Sequence, residues 1–154
     1  MIIILLLSLN NTFVNAWTNC KYMFADFILQ QEMESAMNRI VEDARIAYAV
    51  EPPEKYYRLR FYQHEMQTFD KLKERYSDGK PWYKSQNGKI FYNGETTPIT
   101  GDNLLSGTYV RKFEYYQKPG HSKLLYIKIE AESVVTHHRI TLTTEVFMRG
   151  LQDE

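Results

Sequence analysis

The chain has 154 residues, of which 44% are apolar and 25% are charged, a composition typical of a globular domain rather than a disordered segment. Lysine plus arginine and aspartate plus glutamate both number 19, so the formal net charge is zero. Because proteins that bind nucleic acid usually carry a basic excess, this balance argues against a direct nucleic-acid partner. The single cysteine, Cys20, excludes an intrachain disulfide and a cysteine zinc cluster.

The chain opens on the apolar stretch MIIILLLSLNNTFVNAW, which contains no charged residue. Such a stretch is typical of a membrane-anchoring helix or of a secretory signal peptide. No glycine or proline occurs in residues 1–50, which favours a helix, whereas the small residues Val14 and Ala16 favour cleavage after Ala16. We predict an anchor segment over residues 1–20, with the cleaved signal peptide as the alternative. The predicted anchoring side chains are Ile2, Ile3, Ile4, Leu5, Leu6 and Leu7.

Residues 21–51 show the pattern of an amphipathic helix that continues the anchor segment. Apolar side chains recur at steps of four, three, four and three, which places them on one helix face. Pro52 and Pro53 are expected to end this helix, because proline lacks the backbone N–H and disfavours helical geometry in the preceding residue. The predicted seam between helix and sheet consists of Met33, Met37, Ile40, Ala44 and Ala47.

Residues 52–154 change to the alternating pattern of β-strands and are predicted to form one globular head together with residues 21–51. The run YYRLRFYQ alternates, and QNGK between WYKS and IFY indicates a tight hairpin. Three longer strand-like runs follow, namely SGTYVRKFEYYQ, SKLLYIKIEAE and HHRITLTTEVFMR. We therefore predict an α+β fold, in which a long N-terminal helix packs on an antiparallel β-meander.

The motifs that usually carry chemistry are absent from the sequence. It contains no phosphate-binding glycine loop, no GxSxG elbow and no HExxH pair. His137 and His138 are adjacent in a strand-like run and would point to opposite faces, which disfavours a shared metal ion. Cys20 has no cysteine partner and is expected to be a buried or membrane-side thiol. We predict that the protein is not an enzyme and has no cofactor, metal ion or small-molecule substrate.

The order of these segments resembles the type IV pilin superfamily: an apolar N-terminus, one continuous helix and then an antiparallel sheet. The stretch LQQEMESAMNRIVEDARIAYAV is similar to the helix of minor pseudopilins of type II secretion and competence systems, with Asp43, Arg45 and Ala47 at corresponding places. TPITGDNLLSGTYVRKFEYYQ resembles their segment leading into an aromatic strand, and RITLTTEVFMRG resembles their closing strand. The resemblance covers most of the chain through this order of elements.

The resemblance implies a structural subunit of a short membrane-anchored filament that helps to move protein or DNA across the cell envelope. Its partners would be the membrane and other pilin-like subunits, contacted through the N-terminal helix. Such a subunit would cross the cell membrane once, with the head outside the cytoplasm. The prepilin pattern Gly-Phe-Thr-Leu-x-Glu is missing, and we expect it upstream of Met1. The alternative is a secreted, soluble α+β binding protein released by cleavage after Ala16.

Overall fold

The computed structural model describes residues 2–50, 58–62, 81–94, 96, 98–102 and 107–149, with only the backbone at residue 2. It confirms the predicted α+β class, because one long N-terminal helix packs on antiparallel strands. The elements are α1 (Ile2–Ile46), β1 (Ala49–Val50), β2 (Leu59–Tyr62), β3 (Trp82–Gln86), β4 (Lys89–Tyr92), β5 (Thr108–Gln117), β6 (Leu124–Ser133) and β7 (Arg139–Phe147).

The helix ends earlier than its sequence pattern predicts. We expected it to continue to residue 51, but α1 ends at Ile46 and the chain enters β1. Ala49 and Val50 pair with Tyr62 and Phe61 of β2. Strand pairing satisfies the same backbone groups that a further helical turn would satisfy, and it also buries Val50. Pairing between β1 and β2 therefore ends the helix several residues before Pro52 and Pro53.

The strands form two antiparallel sheets in which neighbours in sequence are neighbours in space. The first sheet has the order β1-β2-β3-β4 and the second the order β5-β6-β7. The hairpin predicted at QNGK is confirmed, since β3 and β4 pair across it with Asn87 and Gly88 at positive φ of 51° and 73°. The two sheets meet where the Val110 N–H donates to the Gly88 carbonyl at 2.7 Å.

The core lies between α1 and the two sheets. All five residues of the predicted seam are buried, and Ala47 contributes although it lies just beyond the helix end. The helix packs on β6 and β7, the two strands whose alternating apolar residues point toward it. These strand residues are the fully or nearly fully buried Leu125, Ile127 and Ile129 of β6 and the partly buried Ile140 and Leu142 of β7.

Polar contacts hold the second half of α1 to the first sheet. The Tyr83 hydroxyl donates a 2.6 Å hydrogen bond to the Asp43 carboxylate, and Arg39 lies 3.9 Å from the centre of the Tyr92 ring. Burial raises the pKa of Tyr83 well above its usual range, and the bond to Asp43 raises it further. The neutral hydroxyl therefore remains a hydrogen-bond donor throughout the physiological pH range.

Candidate functional site

The first half of α1 contributes no buried side chain to the core among the described residues. Each predicted anchoring side chain from Ile3 to Leu7 is at least 60% exposed, while that of Ile2 lies outside the described residues. Every side chain from residue 3 to residue 24 is exposed except that of Thr18, which is half-buried, and the first buried one is Ala25. At 1.5 Å per residue, this projecting part is about 33 Å long, close to the thickness of a bilayer's hydrocarbon core.

Large apolar side chains follow one side of the projecting helix. They recur at steps of three or four, which keeps them on one helix face. Leu9 is 72% exposed, and Phe13 and Trp17 are both 68% exposed. A monomer in water rarely leaves so many large apolar side chains uncovered in one continuous row. We call this row the outward stripe; it consists of Leu6, Leu9, Phe13, Trp17, Cys20, Phe24 and Phe27.

The opposite side of the same segment is polar but uncharged. Residues 3–7 are apolar on all sides, and from residue 8 onward a polar stripe begins. At 100° per residue, this polar stripe lies on the side of α1 that carries the seam further along the helix. The hydroxyls of Thr12 and Thr18 donate to the carbonyls of Ser8 and Val14 at 2.9 and 2.8 Å, within the helix itself. The polar stripe consists of Ser8, Asn11, Asn15, Thr18 and Tyr22.

The apolar face of α1 therefore crosses from one side of the helix to the other near residues 24–29. Phe24 and Phe27 are 53% and 61% exposed, whereas the next two residues, Ile28 and Leu29, are buried. A helix that packs on a single partner needs only one apolar face. The second apolar face of α1 therefore indicates that the helix packs on a second surface. The outward stripe was not among our predictions, although the steps of three and four between its members are visible in the sequence.

Two contacts fix the helix on the head where the projecting part begins. The Thr136 hydroxyl donates a short hydrogen bond to the Asp26 carboxylate, across the connection between β6 and β7. The Gly101 backbone N–H donates to the Glu32 carboxylate at 3.3 Å. Together with the burial of Ala25 and Leu29, these contacts hold α1 in a fixed orientation on the head. The direction in which the outward stripe points is therefore fixed as well.

A buried carboxylate lies near the same end of the head. Glu132 accepts hydrogen bonds of 2.6 and 2.9 Å from the Arg111 guanidinium and of 2.6 Å from Arg139. These bonds lower the pKa of Glu132 to about 2, with Arg111 contributing most. Both guanidinium groups are engaged by this one carboxylate, so the cluster joins β5, β6 and β7 rather than offering a free binding site.

Cys20 and possible metal-ligating side chains are the remaining candidates for a functional site. Cys20 is exposed on the outward stripe rather than buried. Within the described ranges, no three histidine, cysteine, aspartate or glutamate side chains are close enough to hold a metal ion. No helix in the described part of the chain combines the length and hydropathy needed to cross a membrane. No protein-family model, curated protein or solved structure matches the chain.

Proposed function

We propose that the chain is a pilin-like structural subunit of a short membrane-anchored filament that helps to move protein or DNA across the cell envelope. In this proposal the projecting half of α1 anchors the subunit, and its outward stripe packs against the helices of neighbouring subunits. The head, held on the seam, remains outside the membrane. The role is assembly, and no step of it requires catalysis.

The observation that carries the proposal is the outward stripe on a helix that projects from a well-packed head. Burying one large apolar side chain contributes about 1.5–3 kcal/mol, so six such side chains left in water represent a large unrealised stabilisation. Lipid alone could cover the residues near the N-terminus. However, Phe24 and Phe27 lie beside the head, on the far side of the charged Lys21 from the N-terminus. There a neighbouring protein surface, rather than lipid, would contact them.

The same structure supports one alternative from a different class, a secreted binding protein with a cleaved signal peptide. Among the described side chains, cleavage after Ala16 would remove only exposed ones, from residue 3 to residue 16. Cleavage would also leave the apolar side chains of Trp17 and Phe24 exposed to water on the mature protein. In a filament, neighbouring subunits would cover these side chains. We therefore prefer the filament subunit.

The experiment that separates the two is the intact mass and fractionation of the protein from its native host. The filament proposal predicts a mature chain that keeps Ala16 and stays in the membrane fraction after an alkaline carbonate wash. The matched variant is Ala16→Leu, which blocks cleavage at this point because signal peptidase needs a small residue there. The proposal predicts that the masses of parent and variant differ only by the difference between alanine and leucine. A parent chain that begins at Trp17, with Ala16→Leu longer and retained, would contradict it.

A further inference from the structure

At the far end of the head from the projecting helix, a cleft of about 440 Å³ lies between the last turns of α1 and strand β7. Its floor includes the half-buried Val41, and its strand side is formed by four consecutive residues of β7, from Thr144 to Phe147. Phe147 is 58% exposed at its edge. The cleft therefore combines apolar surface with the backbone of a strand.

Strand β7 is the last strand of its sheet and pairs only with β6 among the described residues. An edge strand has one row of N–H and C=O groups that its own sheet does not use, and such a row can pair with an added strand. Extended peptides commonly bind to proteins in this way, with main-chain hydrogen bonds supplying affinity and neighbouring side-chain pockets supplying specificity.

The charge of the cleft indicates which kind of strand it fits. Arg45 and Arg149 both line it and are exposed, and neither makes an ion pair within the part of the chain that the structure describes. The Arg149 N–H donates to the Arg45 carbonyl at 3.0 Å, which holds the two residues side by side and caps the end of α1. The one carboxylate in the lining, Glu145, is already paired with Lys118 at 3.1 Å. The unpaired charge of the cleft is therefore positive.

We infer that this cleft binds an extended acidic segment of a partner protein, which adds a strand to β7 and places carboxylates on Arg45 and Arg149. Arginine suits this role because its planar guanidinium can bind a carboxylate through two parallel hydrogen bonds. Apolar residues that alternate with the acidic ones lie on one side of the added strand, where they would cover Phe147. This surface is independent of the outward stripe, so it stands whether or not the chain assembles into a filament.

The test uses the full-length chain in detergent micelles and a fluorescein-labelled peptide, Val-Glu-Val-Glu-Val-Glu, followed by fluorescence anisotropy. We expect saturable binding that weakens at least tenfold in Arg45→Glu and in Arg149→Glu and that weakens with added salt. Lys112→Glu is the matched control, because it reverses a surface charge on β5 whose partner, Glu114, does not line the cleft, and binding to it should change less than threefold. A Val-Lys-Val-Lys-Val-Lys peptide should not bind to the parent chain.

Strand addition has its own test with the same peptide. N-methylation of alternate amides along one edge removes the donors that would face β7, so it should abolish binding, whereas methylation along the other edge should leave it intact. The inference is overturned if the acidic peptide shows no saturable binding up to about 1 mM, if Arg45→Glu and Arg149→Glu bind it as well as the parent does, or if both methylated peptides bind equally well.

Discussion

Ile40 is fully buried on the seam, at the centre of the contact between α1 and the second sheet. Ile40→Asp would remove its apolar burial and place a carboxylate without a partner in the core. The combined cost should be at least about 3 kcal/mol, a large share of the 5–15 kcal/mol typical of a whole domain. At roughly 2–4 °C per kcal/mol, we expect the Tm in thermal melts to fall by about 10 °C, or cooperative melting to be lost.

The matched control for Ile40 is Asn38→Asp, which introduces the same side chain two residues away on the exposed side of α1. Exposed substitutions away from special features usually change stability by less than about 0.5 kcal/mol, so its Tm should stay within about 2 °C of the parent. If both variants melted like the parent, the helix would not be held on the sheet through this seam.

Glu132 provides a pH-dependent prediction. Its folded-state pKa of about 2 lies below that of an unfolded glutamate, about 4.3, so the ionised carboxylate stabilises the fold. This contribution is complete above about pH 5 and is lost as the pH falls through 4 toward 2. Glu132→Gln should therefore lower the Tm at pH 7, and the difference from the parent should shrink on acidification and nearly vanish at about pH 2.

The control for this series is Glu145→Gln. Glu145 is also paired with a cation, Lys118, but its side chain is 47% exposed, whereas that of Glu132 is 10% exposed. Exposed pairs contribute little to stability, so Glu145→Gln should follow the parent at every pH. A Tm difference for Glu132→Gln that stayed constant between pH 7 and pH 2 would show that the carboxylate charge is not what stabilises the cluster.

At the scale of single elements, the β3–β4 hairpin depends on the backbone conformation of Gly88. Its φ of 73° is unfavourable for any residue with a Cβ, and an added Cβ would lie 2.3 Å from atoms of the Tyr109 ring. Tyr109 is 46% exposed and its ring can move aside, so the backbone conformation dominates the cost. Gly88→Ala should destabilise the protein by about 1–2 kcal/mol, which thermal melts would show as a lower Tm.

The control is Gly94→Ala, the same substitution at a glycine without positive φ. Among the described residues, a Cβ there would meet only the Tyr92 carbonyl oxygen, at 3.9 Å. Gly94→Ala should leave the Tm within about 1 °C of the parent or raise it slightly, because alanine restricts the unfolded chain. Equal effects of the two substitutions would contradict the tight turn at Asn87 and Gly88.

Local signals predicted most of the elements, because each of them depends on neighbours in sequence. Strands β5, β6 and β7 and the QNGK hairpin follow from alternation and from turn chemistry. The early end of α1 could not be predicted, since it depends on pairing between Val50 and Phe61, which are eleven residues apart. The outward stripe and its position opposite the seam follow from the spacing, but only the structure shows that its side chains remain uncovered.

For the whole molecule, the structure predicts that the head folds without the start of the helix. Every side chain from residue 3 to residue 20 except that of Thr18 is exposed, and the first core residue is Ala25. A chain that lacks residues 1–20 should keep a cooperative melt with a Tm within about 2 °C of the full-length chain in detergent. It should also stay soluble without detergent, because most of the outward stripe is gone. Loss of cooperative melting would show that the head depends on the projecting helix.

Site-specific photocrosslinking in the native host can detect whether the outward stripe packs against another protein subunit. Phe24 and Tyr22 are both exposed aromatic residues on α1, two positions apart and on opposite sides of the helix. Replacing either one with p-benzoylphenylalanine therefore changes little except the direction in which the crosslinker points. We expect protein adducts at Phe24 and few at Tyr22. Adducts to lipid alone at Phe24, or equal protein adducts at both positions, would contradict it.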